Sequence, residues 1–369
     1  MIDFELTEEQ QMIRDTVGAF ARDEIRPAAR PADESGNIPA ALIAKIVELG
    51  LVRGAIPESY GGDGGERSAM TGAIVAEELA YGDLAIAIHC IAPRMLAYPV
   101  LEMGTEAQKA KLLKRLASPA FVAATAAVME PRWDFDLTDL KTIAKRERSN
   151  WILSGVKCGV PLAAESEMIL VYAKTGVGGG FAGVDAFILP RTTAGVTVSP
   201  REQNMGLKGL ATYEIQLKDV ELDTDSRLGG DKGINYSRLM SEARVGFGAM
   251  AVGVMRAAFE YARDYAKERK AFGVPIATKQ AIAFMIADMA IEIDAARLLL
   301  WEAATRLDKG ADALEESYLA KNYAAASALR VADNAVQVLG GHGYIREHPV
   351  EMWFRNARGF SALDGVATV

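Results

Sequence analysis

Two segments of the chain carry residue types suited to holding a ligand, and the first lies near position 270. Arg269 offers N–H donors in a fixed planar arrangement that matches pyrophosphate oxygens, and Phe272 offers an aromatic face. Gly273 and Pro275 interrupt the helical pattern, so this segment is predicted to be a loop between two helices. On composition alone, a solvated loop explains these residues as well as a ligand site does.

The second segment is Gln337–Tyr344, in which glycines flank His342 on both sides. Glycines such as Gly340 and Gly341 allow a ligand to approach the backbone closely. A plain helix C-cap explains the same glycines equally well. For His342 itself, a role in the loop is favoured over a catalytic one.

Other patterns with a possible chemical meaning are discounted. Gly178–Gly183 matches the G-x-G-x-x-G pattern, but a strand follows it where a dinucleotide site needs a helix, so it is predicted to be a hairpin loop. The spacing of Cys90 and Cys158 suits neither a structural zinc site nor a stabilising disulfide. His89 lies in an apolar helical run and is expected to be a satisfied core residue.

Composition limits the class of protein. The chain has 369 residues, half of them apolar, which allows a large core and one to three domains. Its net charge of -8 argues against a general nucleic-acid binder. Met1–Glu5 shows no leader pattern, and the apolar stretches Leu84–Pro93 and Val245–Met255 are too short to cross a bilayer. We therefore expect a cytoplasmic protein without a membrane span.

The elements that would position these segments follow from periodicity. Thr7 and Gln10 form a capping box at the start of a helix, which Pro27 and Pro31 are expected to end. Further helices are predicted at Ala40–Leu49, Ser68–Leu79 and Thr105–Leu116, and after about Asn235 at 282–300 and 317–339. Between these lie short β-rich runs at 151–153, 168–173, 184–189, 196–199 and 213–217. The pattern predicts a helical domain at 1–118, an antiparallel β domain at 119–227 and a helical domain at 228–369.

In order and spacing, several motifs together resemble the acyl-CoA dehydrogenase family. They are Leu6–Gln10, Ile56–Gly62, Gly104–Lys109, Met205–Gly209, Lys218–Val220, Arg269–Gly273 with Gln280, and Gln337–Tyr344. The resemblance covers nearly the whole chain. It implies a mainly α protein with an N-terminal helical domain, a central antiparallel β-barrel or sandwich and a C-terminal four-helix bundle.

The resemblance also implies a flavin site. Family members are usually homotetramers or homodimers that hold FAD between protomers. Arg269, Phe272 and Gln280 would contact the pyrophosphate and adenosine of FAD, and Gln337, Gly340 and Gly341 would contact it from the neighbouring subunit. Met129 lies in the flavin-facing motif, and Arg244 matches the arginine that lines the family's active-site region.

The family's reaction removes a proton α to a thioester carbonyl of an acyl-CoA substrate. A hydride passes from the β carbon to flavin, and the electrons then leave to an electron-transferring flavoprotein. The family's glutamate-glycine pair, which supplies the base, corresponds here to Asp364-Gly365. Aspartate is one methylene shorter, a bond of roughly 1.5 Å. The alternative base position holds Ala243, and Glu242 is one place off.

Other positions depart from the family pattern and lose hydroxyl donors or an aromatic wall at the flavin. Met129 replaces a threonine, Phe135 a serine, and Gly159 and Pro161 stand in a tryptophan-isoleucine-threonine stretch. Val366 replaces another threonine. Backbone donors can still hold FAD. Family members usually continue past the position of Val369 with a further helix, so the edge of the site is expected to be less covered.

Arg94 stands where the family usually has a small polar residue near the acyl pocket. It could pair with a substrate carboxylate or sulfinate, and a surface salt bridge is the favoured alternative.

Two further hypotheses remain for the function of the whole chain. One is a different flavin reaction on the same scaffold, such as nitroalkane oxidation or desulfination. The other is a flavin-poor, non-catalytic partner subunit.

Overall fold

A computed structural model describes residues 5–176 and 178–369. Residues 1–4 lie outside the described part of the chain, and the prediction that Met1–Glu5 has no leader pattern falls largely on them. The N-terminal helices are α1 Glu8–Phe20, α2 Arg26–Ser35, α3 Ala40–Glu48, α4 Ala69–Gly82, α5 Leu84–Ile91, α6 Arg94–Met103 and α7 Glu106–Leu116. Helices α3, α4 and α7 correspond closely to the helices predicted at Ala40–Leu49, Ser68–Leu79 and Thr105–Leu116.

The first helix begins as predicted but does not end where predicted. Thr7 and Gln10 form both hydrogen bonds of the capping box. The expectation that Pro27 and Pro31 end the helix is wrong. A π-helical turn at Ala21–Ile25 joins α1 to α2, which runs to Ser35 with Pro31 inside it. The wide turn shifts the hydrogen-bond register, so Pro27 falls in the first turn of α2, where its missing N–H costs little.

The middle of the chain forms a mixed sheet. Its strands are β1 Ala124–Ala127, β2 Ile143–Glu147, β3 Asn150–Pro161, β4 Met168–Lys174, β5 Val184–Pro190, β6 Val196–Val198 and β7 Thr212–Asp223. Most neighbours pair antiparallel, as predicted, but β1 pairs parallel with β4, so the domain is not purely antiparallel. The glycine-rich loop Gly178–Gly183 connects the antiparallel pair β4 and β5, which confirms the hairpin interpretation.

The C-terminal part is a bundle of long helices. After α8 Tyr236–Glu268 come a short hairpin, β8 Lys270–Ala271 with β9 Val274–Pro275, then α9 Gln280–Asp308 and α10 Leu314–Leu339. Three short helices follow: α11 Gly341–Tyr344, α12 Val350–Ala357 and α13 Gly359–Ala362. Helix α4 from the N-terminal region packs against both α8 and α9, so helices from two parts of the chain share one apolar core.

One stretch of this core, Leu84–Met103, is apolar enough by composition to cross a membrane, with a mean hydropathy of 1.6. The fold buries 89% of it. Its two helices, α5 and α6, are separate, because α5 ends at Ile91 and α6 begins at Arg94. Such burial is typical of a core helix pair.

The residues after Asp364 are also core residues. Val366, Ala367, Thr368 and Val369 are each less than a tenth exposed. They lie between α4 and α8, where a Cβ atom on Gly72 would stand 2.8 Å from Val369 Cβ. A Cβ atom on Gly246 would stand 3.0 Å from Thr368. These close contacts fix the backbone of residues 366–369, which follow Asp364 and Gly365 in the chain.

Candidate active site

A cavity of about 690 Å³ opens between the β domain and the C-terminal bundle. Its wall includes Met129 and Phe135 from the β domain, Arg244 from α8, Tyr318 and Lys321 from α10, and Asp364. The volume is typical of a small-molecule site. The ring of Phe135 lines the wall and leaves the cavity open, so the cavity can admit a ligand beside Asp364.

Local backbone geometry turns Asp364 towards this cavity. Gly365 has φ +63°, and a Cβ atom there would stand 2.7 Å from Val128 Cγ2, so only glycine fits without strain. The chain turns at Gly365 and enters the core. The Asp364 side chain remains 22% exposed. Its Oδ1 atom accepts a hydrogen bond from the Gly365 N–H at 2.9 Å, and its Oδ2 atom lies 3.6 Å from Lys321 Nζ.

Met129 contacts the same segment. The Asp364 N–H donates to Met129 Sδ at 3.1 Å, and a thioether sulfur is a weak acceptor. On the neighbouring strand β3, Gly159 has φ +61°, and a Cβ atom there would lie 3.3 Å from Leu363 Cδ2. Side chains of Leu363 and Met129 thus cover the strand where the family has an aromatic residue.

Arg244 provides a nearly buried cation at the cavity. Only 6% of the residue is exposed, and its Cζ atom lies 5.2 Å from the centre of the Tyr318 ring. Within residues 5–176 and 178–369, its side chain forms no ion pair or hydrogen bond. A desolvated arginine without a partner favours binding of an oxygen-rich ligand. Glu242 faces away from the cavity, towards Arg67 and Arg238, as its offset in the sequence predicted.

A buried ion pair supports the segment after β1 that carries Met129. Lys157 Nζ donates to Val128 O at 2.8 Å and lies 3.2 Å from Glu130 Oε1. Burial lowers the pKa of Lys157 to about 8, against the opposing effect of Glu130. Burial alone would raise the pKa of Glu130, but the charge of Lys157 and two backbone N–H donors hold it below its usual value. The pair fastens β1 to β3 below the cavity.

The two segments singled out for a phosphorylated ligand meet at a second cavity of about 380 Å³. Arg269, Gly340, Gly341 and His342 line it within one protomer. A Cβ atom on Gly340 or Gly341 would meet no atom within 4 Å, so their backbone is open to a ligand. The Tyr265 hydroxyl lies 2.8 Å from His342 Nδ1, which supports a loop-holding role for this histidine.

Other predicted residues of this region lie on the surface. Phe272 is 95% exposed with φ +55°, and Lys279 Nζ lies 5.8 Å from its ring centre. Gln280 is the first residue of α9, and Gln337 is exposed in the last turn of α10. The structure therefore brings Arg269 to Gly340 and Gly341, while Phe272 projects outwards.

Two expectations about buried residues are wrong. Arg94 forms no surface salt bridge, because α6 is a core helix and leaves the residue only 5% exposed. Its Nε donates to Leu51 O at 2.7 Å, Nη1 is buried without a partner in the described part of the chain, and the residue does not line the larger cavity. His89 is only partly buried, and it is not a satisfied core residue. Its ring stacks on Phe121, Nε2 has no partner among the described residues, and burial lowers its pKa to about 4.

Comparison with known proteins decides the family. Models of the acyl-CoA dehydrogenase N-terminal, middle and C-terminal domains match residues 7–119, 125–220 and 231–369. The chain belongs to the acyl-CoA dehydrogenase family. The caffeyl-CoA reductase-Etf complex subunit CarC of Acetobacterium woodii is 36% identical to it, over 98% of this chain and 96% of the relative.

Solved structures of this family have the same fold. Butyryl-CoA dehydrogenase from Megasphaera elsdenii shares 32% identity and a TM-score of 0.88, covering 99% of this chain and 96% of its own. The FAD complex of PigA shares 26% identity and a TM-score of 0.88, covering 97% and 94%. The predicted fold class is confirmed, and this acyl-CoA dehydrogenase is an FAD-dependent oxidoreductase.

The residues present fit FAD, although several side-chain donors of the family are missing. The cavity at Asp364 is large enough for an aromatic ring system, and the cavity at Arg269 offers open glycine backbone and a guanidinium that has no ion pair among residues 5–176 and 178–369. Met129 and Phe135, without hydroxyls, line the first cavity, so hydrogen bonds to the flavin there would come from backbone groups or from other wall residues such as Thr138 and Ser361.

Sequence reasoning missed Lys321 and Lys157. Lys321 lies in the Ala-rich pattern of α10, and nothing in that pattern separates it from a solvated lysine. Lys157 lies on β3, beyond the predicted run at 151–153, and a lysine on a strand normally points to solvent. Only the packing of distant segments reveals their partners.

Proposed function

We propose that Asp364 removes the α proton from an acyl-CoA thioester bound in the 690 Å³ cavity. The observation that carries this proposal is the position of its carboxylate, which faces the cavity and is held by Gly365 and Lys321. A general base must reach the proton that it abstracts, so geometry comes before pKa. FAD, when bound, accepts the hydride from the β carbon.

The other cavity residues bind and orient. Arg244, which has no ion pair in the described part of the chain, offers donors to polar atoms of the substrate, and Met129 Sδ accepts from the Asp364 N–H beside it. Arg269, Gly340 and Gly341 line one cavity of the same protomer, so together they would hold the pyrophosphate and adenosine side of FAD, and not from two different subunits as the resemblance implied. Phe272, Gln280 and Gln337 would complete this cofactor site. Because Arg94 lies outside the cavity wall, we do not assign it a role in substrate binding.

We also propose a homo-oligomer, a homotetramer or homodimer. Support comes from Phe284, Ile291 and Leu298, which recur every seven residues on α9 and are 59%, 65% and 44% exposed. Such a stripe of large apolar side chains is typical of a helix face that another helix covers.

An electron-transferring flavoprotein is the proposed electron acceptor, since the relative CarC is named as part of an Etf complex. Domain boundaries at 118/119 and 227/228 and a cytoplasmic location complete the proposal.

The proposed function is tested with purified protein, FAD, an artificial electron-accepting dye and straight-chain acyl-CoAs. Formation of the enoyl-CoA product by mass spectrometry, with reduction of the dye, is the expected result. Nitroalkanes and sulfinates are run in parallel. Turnover of one of these, without any enoyl-CoA, would contradict acyl-CoA dehydrogenation and favour the other flavin reactions.

Arg269 is predicted to contribute strongly to FAD binding. Arg269→Met keeps the side-chain length but removes the charged donors, and such hydrogen bonds contribute about 1.5–3 kcal/mol. We expect the dissociation constant for FAD to rise by roughly ten- to a hundredfold in a fluorescence titration. Arg146→Met, at an exposed position on β2, is the control for loss of one charge. Equal affinities of the Arg269 variant and the parent would exclude Arg269 from the cofactor site.

Met129→Thr is predicted to tighten FAD binding. It removes the sulfur from the Asp364 N–H and places a hydroxyl at the cavity wall. A new hydrogen bond of about 1 kcal/mol corresponds to an affinity roughly fivefold higher. Met12→Thr, at a residue 63% exposed on α1, controls for the change in side-chain type. Weaker binding by the Met129 variant than by the parent would contradict the assignment.

A further inference from the structure

We propose that Lys321 is a positioning residue, which orients the Asp364 carboxylate for removal of the α proton. This inference rests on the proposed function of Asp364. Lys321 lies early in α10, and its side chain is only 11% exposed at the wall of the cavity. A lysine held this far from bulk water needs a partner of opposite charge. Asp364 supplies it.

The two oxygens of Asp364 have different partners. The Gly365 N–H donates to Oδ1 at 2.9 Å, and Lys321 Nζ lies 3.6 Å from Oδ2. The backbone donor alone holds one oxygen and leaves the carboxylate free to rotate about its Cβ–Cγ bond, whose torsion is broad. The ammonium group near the other oxygen restricts that rotation by its charge. Asp364 therefore presents one defined carboxylate orientation to the cavity.

The surrounding charges make Lys321 the relevant cation. Arg244 also lines the cavity, but its guanidinium lies against the Tyr318 ring and forms no ion pair with Asp364 within the described chain. Asp312 and Glu315 add negative charge to the same wall. Among the described residues, Lys321 is the one cation that forms an ion pair with Asp364.

Orientation matters more for aspartate than for a longer carboxylate. The side chain of Asp364 has a short reach, and the reacting atoms must come within about 3–3.5 Å of each other. A displacement of about 1 Å costs on the order of a hundredfold in rate. The Lys321 contact at 3.6 Å is longer than a hydrogen bond, so it directs the carboxylate by charge and leaves the oxygen lone pairs available to the substrate proton.

The test measures proton exchange without oxidation. The probe is an acyl-CoA with sulfur in place of the β carbon, which has no hydride to give to the flavin. In D₂O the base takes the α proton and returns a deuteron, which mass spectrometry counts. The FAD-loaded parent is compared with Lys321→Met, Lys321→Gln and Lys321→Arg. Lys109→Met, which breaks a lysine–glutamate pair on α7 far from the cavity, is the matched control. Asp364→Asn gives the zero level.

We expect Lys321→Met and Lys321→Gln to slow exchange by roughly ten- to a hundredfold, with FAD content and the calorimetric affinity for the probe unchanged. Lys321→Arg restores most of the rate, because it restores the charge. Lys109→Met exchanges like the parent. If one of the variants Lys321→Met and Lys321→Gln fails to fold, the other provides the measurement. Parent-like exchange in a folded Lys321→Met or Lys321→Gln protein would overturn the role of Lys321. Absence of exchange in the parent would instead overturn the proposed function.

Discussion

Asp364→Asn lowers the rate of acyl-CoA dehydrogenation by about a hundredfold to ten-thousandfold, the range that a positioned general base contributes. The amide keeps the size of the side chain and can still accept from the Gly365 N–H, but it cannot take the α proton. Steady-state turnover with dye as acceptor measures the effect. FAD content and substrate affinity should stay at the parent level.

A matched control separates the base from its surroundings. Asp312 lines the same cavity, yet its carboxylate is given no part in the reaction. Asp312→Asn removes the same charge at the same wall and should retain turnover within about threefold of the parent, since exposed charges act weakly at a distance. If both variants lost activity equally, the loss would reflect the charge of the cavity and not a base at position 364.

Gly365→Ala is expected to have the second large effect, on stability and activity together. A non-glycine residue at φ +63° pays about 1–2 kcal/mol of backbone strain, and a Cβ atom 2.7 Å from Val128 Cγ2 adds roughly 1–3 kcal/mol of overpacking. Relief of that contact must move the turn that aims Asp364 at the cavity. Turnover should fall by about a hundredfold, the scale of a 1 Å misplacement.

Gly310→Ala provides the control for this substitution. Gly310 has φ +67°, and a Cβ atom there would meet nothing within 4 Å, so it tests backbone strain without a steric contact. Thermal unfolding followed by circular dichroism should give a lower midpoint for Gly365→Ala than for Gly310→Ala. Gly310→Ala should keep parent turnover. Equal midpoints and equal turnover would show that the contact with Val128 does not hold the turn.

Local signals in the sequence predict much of this fold. The capping box at Thr7 and the β-rich runs that lie within β3 and β4 depend on neighbours within a few residues. The course of the chain past Pro27 was not predictable in this way, because a π turn upstream shifted the hydrogen-bond register. A single unusual turn can overrule a strong local signal.

The candidate site likewise has features that the sequence predicts and features that depend on the packing of distant segments. Its position near Asp364 could be expected from a family motif, and the structure places that residue at the wall of a cavity. The contacts that surround Asp364 could not be expected from the sequence. Met129 lies 235 residues away in the sequence, and its sulfur accepts from the Asp364 N–H. The packing of α10 and of the core around α6 decides the surroundings of Lys321 and Arg94.

The distance from Asp364 to the substrate's α carbon tests most directly whether Asp364 is the base that removes the α proton. A crystal structure of the protein with FAD and the β-thia acyl-CoA gives that distance. We predict one Asp364 carboxylate oxygen within about 3–3.5 Å of the α carbon, the separation of a near-attack geometry. A complex in which the thioester lies elsewhere, or in which the carboxylate of Asp364 points into bulk solvent, would contradict its role as the base.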